Sequence, residues 1–242
     1  MTPQPKTTSS PVIVEKIYQR FNLGQRWEHM LLFLSATVLL LTGLPQKYRD
    51  ASWSQAILTT PDRVYLIQQI HHIAAIVLIL EAVYHLGRAI YQLSRRKLSA
   101  GMFPTVQDLR DAGQMILYLL FIRKDKPKFG KYNFEQKVTY WFVFFGFILM
   151  IISGLVIWFP LWFTNFLPGG IVPAAKLMHS TEAIAAAVFI LIWHFYHVHI
   201  ERLNLSIFTG KLSEKEMQEF HTKELERLQR KPKDKVKPGE PK

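Results

Sequence analysis

Eight of the nine histidines in this sequence lie in or at the edges of long apolar stretches: His29, His71, His72, His85, His179, His194, His197 and His199. An ionisable side chain is costly inside a bilayer, so it turns to the interior of a helix bundle and marks a functional position there. A single histidine is ordinarily a helix-to-helix hydrogen bond. Several sorted by depth point to ligands. The sequence holds no cysteine, which excludes disulfides, thiolate metal sites, iron–sulfur clusters and thioether-linked haem. Any metal must sit on His, carboxylate or Met.

Fourteen residues separate His71 from His85, and fifteen separate His179 from His194. Either interval is about 21–22 Å of helix rise, enough to set two flat cofactors one above the other. One layer holds His71 and His179; the other holds His29, His85 and His194, with His197 nearby. A porphyrin iron needs an axial ligand on each face. Two imidazoles from facing helices supply them, and such ligation suits electron transfer because no coordination position is left open. Zinc or non-haem iron would need three or four ligands at one depth with carboxylates converging, and Glu81 is the only carboxylate near mid-membrane in the second stretch. Helical phase leaves the second layer open. His197 follows His179 by eighteen residues, five full turns, whereas His194 lies about 60° off that face. Gly43, Gly146 and Gly154 give room for a macrocycle or for close helix packing.

The elements that must hold these residues are four apolar stretches, Trp27–Leu44, Ile70–Tyr91, Val138–Phe163 and Ala174–Ile200. At about twenty residues or more, each can cross a hydrocarbon core of roughly 30 Å. The first is read as a retained helix, since it lies in from the N-terminus and no small-x-small cleavage site follows. The chain carries a formal net charge of +12, concentrated outside the stretches. Arg88, Arg95, Arg96, Lys97, Arg110, Arg123, Lys124, Lys126, Lys128 and Lys131 lie between the second and third, and the tail after Ile200 is similarly basic. The positive-inside rule puts both regions, and with an even number of spans both termini, in the cytoplasm. A basic surface beside membrane helices attracts anionic membrane lipid rather than nucleic acid. Between Pro104 and Phe121 the apolar residues recur at helical spacing, as in an amphipathic helix lying on the cytoplasmic surface. Residues 213–230 read as a solvated helix, and the last dozen as a Lys/Pro tail without core potential.

The fold class expected is therefore all-α, an integral membrane four-helix bundle with a cytoplasmic amphipathic helix and a helical C-terminal tail. Its parts are an N-terminal cytoplasmic segment at 1–25, the four-span domain at 26–210, and the charged tail at 211–242.

Three segments together resemble the cytochrome b (gamma) subunit of respiratory formate dehydrogenases and its relatives in hydrogenase and thiosulfate reductase complexes. They are Arg26-Trp27-Glu28-His29 with Leu41-Thr42-Gly43-Leu44; Gly130-Lys131-Tyr132-Asn133-Phe134-Glu135-Gln136-Lys137 before Tyr140-Trp141; and Leu177-Met178-His179 followed by His194-Phe195-Tyr196. The resemblance implies a di-haem b anchor in the bacterial inner membrane, passing electrons between the quinone pool (menaquinone or ubiquinone) and a peripheral redox subunit, an iron–sulfur or multihaem protein. It implies His71 and His179 as the outer haem ligands and His29 and His194 as the inner pair. His85 and His197 stay as alternative ligands. It further implies a quinone site at Tyr132, Asn133, Gln136 and Lys137; a quinone needs hydrogen-bond partners in an apolar cleft, and Asn133 and Gln136 are neighbours on one helix face. Asn133 could equally cap the third helix. Glu135 stands where the family has a small residue. The competing functions are a stand-alone transmembrane haem shuttle and a non-redox transporter lined with histidine.

Overall fold

The computed structural model describes residues 16–95, 100–201 and 203–230. Arg96, Lys97, most of the N-terminal segment and the Lys/Pro tail lie outside the described residues. In chain order the elements are β1 (Ile17–Gln19), α1 (Leu23–Lys47), α2 (Ser52–Ile57), α3 (Pro61–Ser94), α4 (Val106–Leu119), α5 (Phe134–Trp158), α6 (Pro160–Thr164), α7 (Ile171–Ile200), α8 (Ser206–Thr209), β2 (Lys211–Ser213), α9 (Glu214–Phe220) and α10 (Thr222–Arg230). Four of them, α1, α3, α5 and α7, are long and apolar enough to cross a membrane, so the all-α membrane bundle is borne out.

Local chemistry sets where each long helix starts and stops. Asn22 opens α1 with a reciprocal cap, its side chain accepting from the Gln25 amide while the Gln25 side chain accepts from the Asn22 N–H. Thr60 caps α3 and Pro61 follows at the first helical position, where a missing N–H costs nothing. Asn133 and Gln136 repeat the reciprocal cap at α5. The expected third stretch ran to Phe163, but the helix stops at Trp158 because Pro160 forces Phe159 out of helical geometry (φ −121°, ψ 55°). The caps lie outside the apolar runs, which is why α1 and α3 extend beyond the expected stretches.

The long helices alternate in direction, with α1 packed on α3, α5 on α7, and α1 touching α7. Their outward faces are apolar and exposed, for example Leu41, Leu80, Val83, Leu149 and Leu191, whereas Ser35, Thr42, Glu81 and Ser153 are buried. Apolar outside and polar inside is the distribution a bilayer favours.

At the end of the bundle carrying both termini, α4 is tied to α5 by Lys137, whose ammonium bonds both oxygens of Asp108 at 2.8 Å, and by the Trp141 indole donating to the Met102 carbonyl at 3.0 Å. The segment expected as one solvated helix from Ser213 to Arg230 is instead two helices broken at His221. Leu212, Met217 and Leu225 form a small buried cluster with Tyr18 and Leu228 against it. Antiparallel pairing of β1 with β2 joins the N-terminal segment to this tail. The tail in turn holds the loop before α5, since His221 Nδ1 lies 3.0 Å from the Gly130 carbonyl and the Lys223 amide donates to that of Phe129 at 3.0 Å. The charge-dominated composition of this region hid those few apolar positions.

Candidate functional site

Two histidine pairs sit in the bundle at different depths. Farther from the termini, His71 of α3 faces His179 of α7 with ring centres 6.4 Å apart and planes at 68°. Both rings are held through Nδ1. The Thr42 hydroxyl donates to the Val38 carbonyl at 2.7 Å, which leaves its oxygen to accept from His71 Nδ1–H at 2.9 Å. On the other side Ser153 donates to the Leu149 carbonyl at 2.6 Å and lies 3.1 Å from His179 Nδ1, which also reaches the Met150 carbonyl at 3.2 Å. A carbonyl can only accept, so Nδ1 of His179 carries the proton. In both rings Nε2 is then the nitrogen with a free lone pair.

The residue after each hydroxyl is glycine, and the reason is space. A Cβ on Gly43 would come within 3.3 Å of His71 Cε1, and one on Gly154 within 3.1 Å of His179 Cε1. Thr42-Gly43-Leu44 on α1 and Ser153-Gly154-Leu155 on α5 thus make equivalent cradles, each for an imidazole of the neighbouring helix. Thr42 and Ser153 escaped notice as participants, although the repeated hydroxyl-glycine-leucine triplet was a readable signal.

Nearer the termini, His29 of α1 faces His194 of α7 with ring centres 6.2 Å apart and planes at 39°. His194 reaches that position because α7 is wound as π-helix over Ile190–His194 and Tyr196–Ile200. A π turn takes about 4.4 residues instead of 3.6, so each residue falls roughly 20° behind the α phase. Five such residues carry His194 from about 60° on one side of the His179 face to about 30° on the other. Two more, Tyr196 and His197, turn His197 roughly 125° away. Among the described residues, His29 Nδ1 is buried without a hydrogen-bond partner.

The other histidines have different neighbours. His85 lies between the Glu28 carboxylate, 3.0 Å from Nδ1, and the Tyr140 hydroxyl, 3.2 Å from Nε2. His197 contacts Glu201 at 2.7 Å and Glu135 at 3.8 Å. His72 stacks on Trp158 at 4.1 Å, and the His199 ring lies against Phe195.

The block before α5 is tightly bonded. The Asn133 side chain caps the helix and donates from Nδ2 to Glu135 at 2.9 Å, and Lys137 is the partner of Asp108. Arg20 donates to the Lys131 carbonyl and to Gln136 Oε1, with its guanidinium 5.1 Å from the Tyr132 ring centre. Asp108 lies on α4, outside the spans. Burial pushes its carboxyl up, but hydrogen bonds from Lys137 and Thr105, with the Lys137 charge, together hold it below the usual carboxylate range.

Two imidazoles with ring centres 6.2 to 6.4 Å apart would leave room between them for one metal ion bonded to a nitrogen of each ring, the donor set that a b-type haem would use. Both pairs have that separation, and the lone pairs assigned in the His71/His179 pair are on the nitrogens away from the hydroxyl cradles. Facing imidazoles between apolar helices make the architecture of a membrane-bound b-type cytochrome.

The chain belongs to the prokaryotic cytochrome b561 family, whose profile matches residues 20–210. It is 24% identical over 177 residues to the formate dehydrogenase cytochrome b556 subunit of Haemophilus influenzae, covering 73% of this chain and 68% of that one. It is 36% identical over 70 residues to the cytochrome b556(fdo) subunit of Escherichia coli K12 formate dehydrogenase, a match covering 28% of this chain and 31% of that subunit. The nitrate-inducible b556(Fdn) subunit of the same organism is 26% identical over 92 residues, 42% of its length. The resemblance read from the three motifs is borne out, and the chain is a multi-pass membrane cytochrome of the haem b electron-transfer class.

Proposed function

We propose that the chain is the di-haem membrane anchor of a quinone-linked respiratory oxidoreductase, in which His71 and His179 hold the outer haem b and His29 and His194 the inner one. The observation that carries this reading is the pair of imidazole separations, 6.4 and 6.2 Å, at two depths. Bound there, haem supplies one-electron transfer. The protein's residues supply two axial nitrogens per site, hydroxyls that orient the outer pair, and an apolar surround. The names of the relatives, cytochrome b556 subunits of formate dehydrogenase, support a place in a complex of that kind; in this reading the partner is a peripheral redox subunit, iron–sulfur or multihaem, at the outer face. The basic connections Arg88–Lys131 and the tail support a cytoplasmic position for both termini.

The quinone belongs, in this reading, at Tyr132, Asn133, Gln136 and Lys137, beside the inner pair. Asn133 keeps the helix start with its oxygen, and its amide nitrogen exchanges Glu135 for a quinone oxygen. Replacing it by Ser tests the assignment. The serine hydroxyl still accepts from Gln136, so stability changes by less than about 1 kcal/mol, but nothing reaches the quinone. Loss of a hydrogen bond worth roughly 1.5 kcal/mol lowers quinone turnover about tenfold, with both haem spectral components intact. Unimpaired turnover in Asn133→Ser makes the residue a cap alone and moves the site elsewhere.

A further inference from the structure

An amide side chain can present either its oxygen or its nitrogen to a ligand, and in the block before α5 a residue from the far end of the sequence makes that choice for Gln136. Arg20, the residue after β1, is only 8% exposed. Its guanidinium donates from Nη1 to the Lys131 carbonyl and from Nη2 to Gln136 Oε1 at 3.3 Å. It lies 5.1 Å from the Tyr132 ring centre and 5.3 Å from that of Phe21.

The backbone leaves Arg20 little freedom. β1 pairs with β2 as far as Gln19 and Lys211, and the next two amides, of Arg20 and Phe21, both donate to the Gly210 carbonyl at 2.8 and 3.1 Å. Gly210 makes that turn with φ 77°, and a Cβ there would lie 2.8 Å from the Phe21 carbonyl oxygen, so the position requires glycine. Asn22 then caps α1. Arg20 is thus fixed between the turn of the tail and the start of the helix that carries His29, and its side chain reaches across to the loop before α5.

Gln136 Oε1 takes two donors, the Asn133 backbone N–H at 3.3 Å and the Arg20 guanidinium at 3.3 Å. Neither can donate to an NH2 group, so the oxygen faces them and Nε2 turns away. Turning the amide over would set its NH2 group against the guanidinium. Among the described residues Gln136 Nε2 has no hydrogen-bond partner. Asn133 is oriented in the same sense, with Oδ1 accepting from the Gln136 N–H and Nδ2 donating to Glu135, both at 2.9 Å. The block therefore presents two N–H donors three residues apart on one helix face, and a carbonyl oxygen is the group they fit.

We propose that Arg20 is a positioning residue of the quinone site: by holding Gln136 Oε1 it aims the Gln136 Nε2–H at a quinone carbonyl oxygen. The inference rests on the quinone reading given above.

Equilibrium dialysis of a short-chain naphthoquinone and a short-chain benzoquinone against the purified haem-loaded protein gives a readout other than turnover, and the quinone that wild type binds more tightly is used for the variants. Arg20→Met weakens binding roughly two- to tenfold, the worth of one hydrogen bond. The quinone KM rises by the same factor, while the rate at saturating quinone and both haem components are kept. Gln136→Glu separates aim from scaffold. The carboxylate still accepts from Arg20 and from the Asn133 N–H and suits the helix start, so a structural role leaves this variant unharmed; but it has no N–H to offer, and binding falls by a like factor. Adding Arg20→Met to Gln136→Glu costs no further affinity. Arg20→Lys keeps the charge but not the two-pronged fork; it also weakens binding, and with Gln136→Glu it decides the matter if Arg20→Met does not assemble with haem. Unchanged affinity in Arg20→Met or in Gln136→Glu, with affinity lost in Asn133→Ser, overturns the proposal, and so do losses that add in the double variant. Wild type that binds neither quinone saturably, or Asn133→Ser with full affinity, is the failure of the quinone reading itself, and the proposal falls with it.

Discussion

Replacing Thr42 by valine removes one hydroxyl and changes almost nothing else. The two side chains have nearly the same shape, so the buried contact against the His71 ring persists, but His71 Nδ1–H loses its acceptor at 2.9 Å. That bond makes the imidazole a stronger donor to a metal at Nε2, an effect that favours the more positive, oxidised iron. One such hydrogen bond contributes about 0.5–1.5 kcal/mol net. With about 1.4 kcal/mol per tenfold change in equilibrium constant, and 59 mV per tenfold for one electron, its loss raises the midpoint of the outer haem by roughly 20–60 mV. Ser153→Ala is the internal comparison. His179 Nδ1 keeps the Met150 carbonyl at 3.2 Å, so its shift is less than half as large. Optical redox titration of the purified variants reads both numbers. A shift in the inner component, or none in the outer one with haem fully retained, refutes the argument that these hydroxyls tune ligands.

Substitution of His71 or His179 by Ala should remove the same spectral component, and of His29 or His194 the other, whereas His197→Ala keeps both; loss of a haem in His197→Ala with none lost in His194→Ala would reverse the π-helix argument. The ion pair of Asp108 with Lys137 should make the anchoring of α4 depend on pH. The folded carboxyl titrates below its unfolded value of about 3.9, so the contribution is complete above about pH 4 and is lost as pH falls through the folded value. Asp108→Asn leaves the buried Lys137 with an amide oxygen to bond but no counter-charge, at a cost of about 3 kcal/mol. Amide exchange over Val106–Leu119 should rise in that variant at neutral pH and in wild type only in acid; equal protection in both at pH 7 would show that the pair anchors nothing.

Much of this arrangement was legible because bilayers and hydrophobic periodicity leave strong traces. The four spans and the amphipathic helix follow from runs of apolar residues and their spacing. The two histidine layers follow from depth alone. The choice between His194 and His197 did not, because extrapolating phase along α7 assumes 3.6 residues per turn throughout, and π turns have no reliable signature in composition. The tail was misread for a related reason. Leu212, Met217 and Leu225 are too few to show as a periodic face, and their partners Tyr18 and Leu228 come partly from the other end of the chain. The residues of the quinone block have structural duties that spacing cannot separate from binding, since one asparagine oxygen can cap a helix while its nitrogen serves a ligand.

The two histidine pairs differ in a way that bears on the direction of electron flow. Both rings of the outer pair donate through Nδ1 to a hydroxyl or carbonyl, which would strengthen them as ligands and lower the potential of a haem held there. In the inner pair His29 Nδ1 is buried without a partner among the described residues, so it would be the weaker ligand and a haem there would sit higher. Glu28, next to His29 in sequence, would pull in the opposite direction, but its charge is met by Arg88 at 2.7 Å. If both pairs hold haem as proposed, this local chemistry favours transfer from the outer to the inner site, toward the face of the proposed quinone block.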